Sequence, residues 1–383
     1  MAVTKNFISS LEDSNEWKLL ELVTLGFEKS KLKDEYISNL DKGLNWGNIL
    51  ECALRHKILP MLAFTLLSNV HHFESMPALL IEHLQTVLDL NRYKNNILHA
   101  EAAKIVNSFN KRSINFVGTK GITLESTIYG NNGSRSLGDI DFMIKPQDVN
   151  IVVEVMRDLG YETGHYDWAT YQLTPLKREE RAVFQLNRDH LPHFLKPIKD
   201  AVIPCIYIDF ASSLTWTRSP FEIPVSVALS EIDFQSIPGD SATMMPCFKP
   251  KFQFIFTVLH LFREAWVYRE GWVSTINKGW EDDVTLGKFA DVVRLWQSYE
   301  EAIIASSFTD TIEEYQLTAP VVWVLEHTDR TFKTNIVSTL GLKEKVSEDW
   351  LHSSGGSGGK LITWKGTMID RLLCKNRQGL FIY

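Results

Sequence analysis

The chain has 383 residues, 44% of them hydrophobic and 23% charged, which is ample for two or three folded units with buried cores. Its net charge of −7 disfavours broad, sequence-independent binding to nucleic-acid backbones and leaves nucleic acid as a specific acceptor. The scattered Cys52, Cys205, Cys247 and Cys374 lack zinc or disulfide spacing, no apolar run reaches membrane-spanning length, and Glu12, Asp13 and Glu16 replace a cationic apolar leader, so a cytoplasmic protein with free thiols is expected.

Residues 1–112 are expected to form an N-terminal helical domain. Its helices run from Trp17 to Phe27, from Trp46 to Leu67 with a break at Pro60, and from Ala78 to about Phe109, where Leu80, Leu84, Val87 and Leu88 make an apolar stripe. Residues 113–240 carry the strands. Ile114 to Val117 reads as a short buried strand, Gly118-Thr119-Lys120-Gly121 as a turn, and Ile122 to Tyr129 as a helix. A strand, a glycine turn and a helix start favour anions, because the helix start offers backbone N–H groups and Lys120 adds a charge. The spacing is not that of a Walker loop.

Gly138-Asp139-Ile140-Asp141-Phe142-Met143-Ile144 follows. Side chains alternate across a strand, so Asp139 and Asp141 are expected on one face, with Ile140 and Phe142 in the core. Two carboxylates that close raise each other's pKa unless a cation lies between them. Mg²⁺, one ion or two, suits such a pair, with Mn²⁺ as the alternative. A helix from Gln147, covered by Val149, Ile151, Val152, Val153, Met156 and Leu159, stops at Gly160. Arg181 to Asn187 and Cys205 to Ala211 are expected to be further strands, separated by a loop carrying His190 and His193. Those two imidazoles are candidates for contact with acceptor or base.

Residues 241–352 are expected to form a C-terminal helical domain, with Leu286, Phe289, Ala290, Val293 and Trp296 at one-face spacing and Glu281-Asp282-Asp283 complementing that helix's N-terminus. Residues 353–383 read as a Gly/Ser linker and a basic C-terminal segment, detached and flexible or docked as a basic helix.

Lys120-Gly121, Arg135 ahead of Gly138-Asp139-Ile140-Asp141, and the helix closing on Leu159-Gly160-Tyr161 together resemble the uncharacterised bacterial nucleotidyltransferase family of the DNA polymerase β-like superfamily. Trp46 to Leu50, Ala53 to Leu62, His190-Leu191-Pro192, Ile208-Asp209-Phe210 and the helix around Asp291 fall in the family's order. The resemblance covers most of residues 45–300, and the stretch from 117 to 162 is its specific part.

The resemblance implies an α+β fold, a small mixed β-sheet nucleotidyltransferase core flanked by N- and C-terminal helical domains. It implies metal ligation by Asp139 and Asp141 and a third carboxylate, Asp209, that binds metal or activates the acceptor. It also implies contact with a nucleoside triphosphate through Gly118, Thr119, Lys120, Gly121 and Arg135. The expected activity is metal-dependent transfer of a nucleoside monophosphate to a small molecule, a peptide or protein, or an RNA, with release of pyrophosphate. The alternative is a catalytically inactive nucleotide-binding or scaffold protein of the same fold. One departure stands out: the family often has His two residues after the third acid, and this chain has Ala211.

Overall fold

The computed structural model describes residues 14–26, 40, 43–186, 189–216, 219–266, 283–355 and 360–382. Among the described residues four α-helices precede the first strand: α1 (Asn15–Leu25), α2 (Trp46–Arg55), α3 (Leu59–Ser68) and α4 (Ala78–Lys111). Ser14 and Asn45 start α1 and α2 by accepting hydrogen bonds from the Trp17 and Asn48 N–H groups. The break near Pro60 falls just before it, because proline lacks an N–H and is tolerated in a helix's first turn.

The α/β segment follows as β1 (Phe116–Thr119), α5 (Gly121–Thr127), β2 (Ile140–Ile144), α6 (Val149–Asp158), β3 (Glu162–Asp167), β4 (Gln172–Pro175), α7 (Arg178–Leu186), β5 (Phe194–Pro197), β6 (Cys205–Ala211), α8 (Val225–Ala228), β7 (Ile232–Ile237) and β8 (Asp240–Phe248). Its strands form one mixed sheet in the order β4-β3-β5-β6-β2-β1-β8-β7, larger than the small sheet expected. β2 runs parallel to β6 and β1 parallel to β8, while the other neighbours are antiparallel.

The strand expected from Arg181 is instead part of helix α7. A short apolar run cannot by itself separate strand from buried helix. Here Glu180 decides the local geometry by accepting from the Lys177 N–H at 2.7 Å and pairing with His165 at 2.8 Å. Asn187, the last residue of that expected strand, lies outside the described residues.

The remaining elements are α9 (Pro250–Trp266), α10 (Leu286–Ala305), α11 (Phe308–Glu314), α12 (Thr318–Phe332), α13 (Ile336–Thr339), α14 (Glu348–Leu351), β9 (Ser353–Gly355), β10 (Leu361–Trp364), α15 (Met368–Leu373) and β11 (Phe381–Ile382). The chain divides into two compact units, residues 89–256 and residues 1–88 with 257–383. Among the described residues no helix is long and apolar enough to cross a membrane.

In the second unit the C-terminal segment is integrated rather than detached. β9, β10 and β11 form an antiparallel sheet, and Arg371, fully buried, pairs with Asp283 at 2.7 Å and donates to the Ala265 carbonyl. Asp283 therefore serves this ion pair, and Arg377 approaches it at 3.4 Å. The α10 cap is Thr285, which accepts from the Lys288 N–H. Glu281 and Asp282 lie outside the described residues.

In the first unit one face of the sheet is packed with aromatic rings. Phe116, Phe142 and Phe210, from β1, β2 and β6, meet Phe109 of α4, and Phe194 of β5 meets Phe210, with neighbouring centroids 5.1 to 5.9 Å apart. Val152, Val155 and Met156 of α6 complete this cover. Burying these rings favours one register, because a one-residue slip would turn each strand's core residues to the other face.

Candidate active site

That register also places the acids. In the β2/β6 pair Phe142 stands opposite Phe210, and Asp141 stands opposite Asp209. Phe142 and Phe210 stack on the helix-covered face, so the alternation of strand side chains turns both carboxylates to the other face. Both are nearly buried, Asp141 at 5% and Asp209 at 6% relative exposure. Asp139 immediately precedes β2 and is half-buried.

Lys120 is the cation at this centre. Its Nζ lies 2.6 Å from Asp141 Oδ1 and 3.9 Å from Asp209 Oδ2. Burial opposes the charged ammonium, but Asp141, Asp209 and Asp139 together outweigh it and hold Lys120 above its ordinary pKa. Burial, with Asp139 and Asp209 beside it, raises the Asp141 pKa well above the usual carboxylate range, against the pull of Lys120. The backbone at Lys120 has φ 50° and ψ −127°, a left-handed conformation that costs a side-chain-bearing residue. Among the described residues no three metal-ligating side chains converge as a ready cage.

The Gly118 to Gly121 stretch divides in two. Gly118 and Thr119 complete β1, which runs two residues beyond the expected strand, and helix α5 begins at Gly121. Gly118 pairs with Phe142 and so faces the core, where a Cβ would come 2.6 Å from Met245 Sδ. At Gly121 a Cβ would come 2.7 Å from Arg135 Nη1 and 2.9 Å from Leu137 Cδ2. The first glycine makes room for packing. The second brings the Arg135 guanidinium beside the turn that holds Lys120.

His190 and His193 meet Asp209 from its other side. The Leu191 N–H donates to the Phe210 carbonyl at 3.0 Å and the Ser212 N–H to the Asp189 carbonyl at 2.8 Å, pinning the loop along β6. His190 Nε2 then lies 3.7 Å and His193 Nε2 4.0 Å from Asp209, while His190 Nδ1 is 3.6 Å from Asp189. Ala211 bridges to His190 through the backbone, so an imidazole reaches the third acid from this loop. Asp291 belongs to the other unit, buried on α10.

A family model described as uncharacterised nucleotidyltransferase matches residues 42–333. This chain belongs to that family. No curated protein and no solved structure matches the chain. The family match spans β1, β2, β6 and the loops that carry Lys120, Arg135, His190 and His193.

Sequence reasoning passed over several groups that the structure brings to this region. Asn91, Asn95 and His99 lie buried at four-residue spacing on α4, and Glu125 of α5 is buried beside them. His99 Nε2 is 3.5 Å from Glu125, and burial lowers the His99 pKa to about 4. Burial raises Glu125, with Asn95, the Gly133 N–H and Arg135 drawing it back. Lys94, also on α4, is lowered by burial and partly restored by the field of Asp139. The available signal was the polar i, i+4, i+8 stripe, which an apolar-stripe reading of the helix overlooks.

Proposed function

We propose that the protein transfers a nucleoside monophosphate from a nucleoside triphosphate to a nucleophile on a small molecule, a polypeptide or an RNA, releasing pyrophosphate. The observation that carries this reading is the in-register pair of buried carboxylates, Asp141 and Asp209, with the Lys120 ammonium beside both. The donor set is hard oxygen, which suits one or two Mg²⁺ ions, or Mn²⁺, that take a few carboxylates and fill their other positions with water and phosphate. Asp139, Asp141 and Asp209 would hold the metal. When bound, it would offset phosphate charge and lower the pKa of the attacking group.

The chain's own groups divide the remaining work. Lys120 would exchange its carboxylate partner for the β- and γ-phosphates, and Arg135 would add paired donors in a plane. Backbone N–H groups from Thr119 to Gly121 would complete the cradle, with Gly118 setting the packing beneath it. Asp209, flanked by His190 and His193, would orient the acceptor. Burial of these charges strengthens their action on a developing negative charge, so positioning and electrostatics would supply most of the acceleration. A single transfer fits better than repeated polymerisation, since the net charge is −7.

The test is calorimetric titration of non-hydrolysable analogues of the four nucleoside triphosphates, with and without Mg²⁺, into wild type and Asp139→Asn/Asp141→Asn. Mg²⁺-dependent binding that disappears in the double variant is expected. Folded wild type that binds none of them overturns the reading. A second reading, a nucleotide-binding scaffold without turnover, is favoured by Lys120 Nζ at 2.6 Å from Asp141, where it can stand in for a metal. Wild-type binding of equal strength with and without Mg²⁺ would select it.

A further inference from the structure

We propose that Asn91 and Asn95 are positioning residues for triphosphate recognition, acting through the backbone of Arg135; the inference rests on the nucleotide reading above. The two amides lie one turn apart on α4 and are buried. Asn91 Nδ2 donates to the Gly133 carbonyl at 2.6 Å and to the Arg135 carbonyl at 3.2 Å. Asn95 Nδ2 donates to the same Arg135 carbonyl at 2.9 Å, and Asn95 Oδ1 accepts from the Leu137 N–H at 3.3 Å. The Ser136 hydroxyl donates to Asn91 Oδ1 at 2.9 Å.

The loop from Gly133 to Leu137 enters the interior without a neighbouring strand to pair it, and buried backbone groups need partners. Each asparagine carries both a donor and an acceptor, so the pair supplies to this loop what a strand edge would. Both amides converge on one carbonyl, that of Arg135. Fixing that peptide fixes the direction in which the side chain leaves the backbone. The side chain then donates from Nη1 to the Ser136 carbonyl at 3.0 Å and passes over Gly121, whose missing Cβ leaves the space. The helix, the loop and the glycine thus hold one guanidinium beside the Lys120-Gly121 turn, pre-ordered for an anion.

Triphosphate analogues and the matching monophosphates, each with Mg²⁺, titrated into the full chain separate this role from a merely structural one. Asn91→Ala and Asn95→Ala are expected to weaken triphosphate binding roughly tenfold, the scale of a hydrogen bond to a charged group, and to leave monophosphate binding unchanged. Arg135→Ala should show the same selective loss, and Asn95→Ala/Arg135→Ala should bind no more weakly than Arg135→Ala alone. Ser136→Ala, which removes only a hydroxyl from the network, gives a milder loss of the same kind and serves if an asparagine variant does not fold. Equal weakening of triphosphate and monophosphate, or unchanged binding in the folded variants, overturns the inference alone. Wild type that binds neither class overturns the nucleotide reading and this inference with it.

Discussion

Asp141 and Asp209 stand opposite each other on adjacent parallel strands, and Lys120 Nζ reaches both from the end of β1. Two buried carboxylates at one place are costly without a cation, and the Lys120 ammonium lies beside both. Asp209→Asn should therefore keep its thermal midpoint in metal-free buffer within a few degrees of wild type, because one of two repelling charges is removed. The same variant should lose Mg²⁺-dependent triphosphate binding by at least about tenfold. Thermal melts with and without Mg²⁺ and nucleotide analogue check both halves.

Lys120 occupies a backbone conformation that glycine adopts without strain. Alanine there removes the charge and keeps the strain, whereas glycine removes both. Lys120→Gly is expected to be more stable than Lys120→Ala by about 1 kcal/mol, the reverse of the usual order, while both lose triphosphate affinity. Denaturant unfolding of the two variants side by side reads the difference.

The two glycines flanking this turn should respond differently to enlargement. Gly118→Val pushes against Met245 in the core and should cost about 1–3 kcal/mol, with partial recovery in Gly118→Val/Met245→Ala. Gly121→Ala displaces the Arg135 guanidinium and the Leu137 side chain, so its larger effect should fall on triphosphate affinity. Unfolding midpoints and titrations on both variants separate the two roles.

The contribution of His99 to stability should fall on acidification. Burial holds the His99 pKa at about 4, below the ordinary 6.5, so the unfolded chain binds a proton that the folded chain does not across that interval. The contribution is fully present above pH 6.5 and is lost as pH falls toward 4, by up to about 3 kcal/mol. His99→Gln, which cannot titrate there, should flatten the dependence by about one proton when unfolding is followed between pH 7.5 and 4.5.

The C-terminal segment should be essential to its unit. Arg371 is fully buried against Asp283 and lies over the Trp364 and Phe381 rings at 5.1 and 5.0 Å. Arg371→Met leaves the Asp283 charge buried with less compensation and should cost about 3–5 kcal/mol. Denaturant unfolding of the full chain measures it.

Local pattern was enough to read the strand through Ile140-Asp141-Phe142, though Asp139 falls just before it, and the strand Cys205–Ala211, the stop at Gly160 and the long helix from Ala78, because alternation, helical periodicity and glycine punctuation are properties of neighbouring residues. The α+β class and the family followed from the same stretches. Arg181 to Leu186 misled, since a short apolar run satisfies strand and helix alike until Glu180 meets Lys177 and His165. What only the tertiary structure decided was who stands beside whom. The register that stacks Phe142 on Phe210 sets Asp141 against Asp209; the packing of Met245 assigns Gly118 to the core; the loop pinned to β6 brings His190 and His193 to Asp209; and Asn91 and Asn95, some forty residues upstream, grip the backbone of Arg135. Those relations depend on pairing across distant segments, which sequence spacing does not encode and which the burial of a shared core selects.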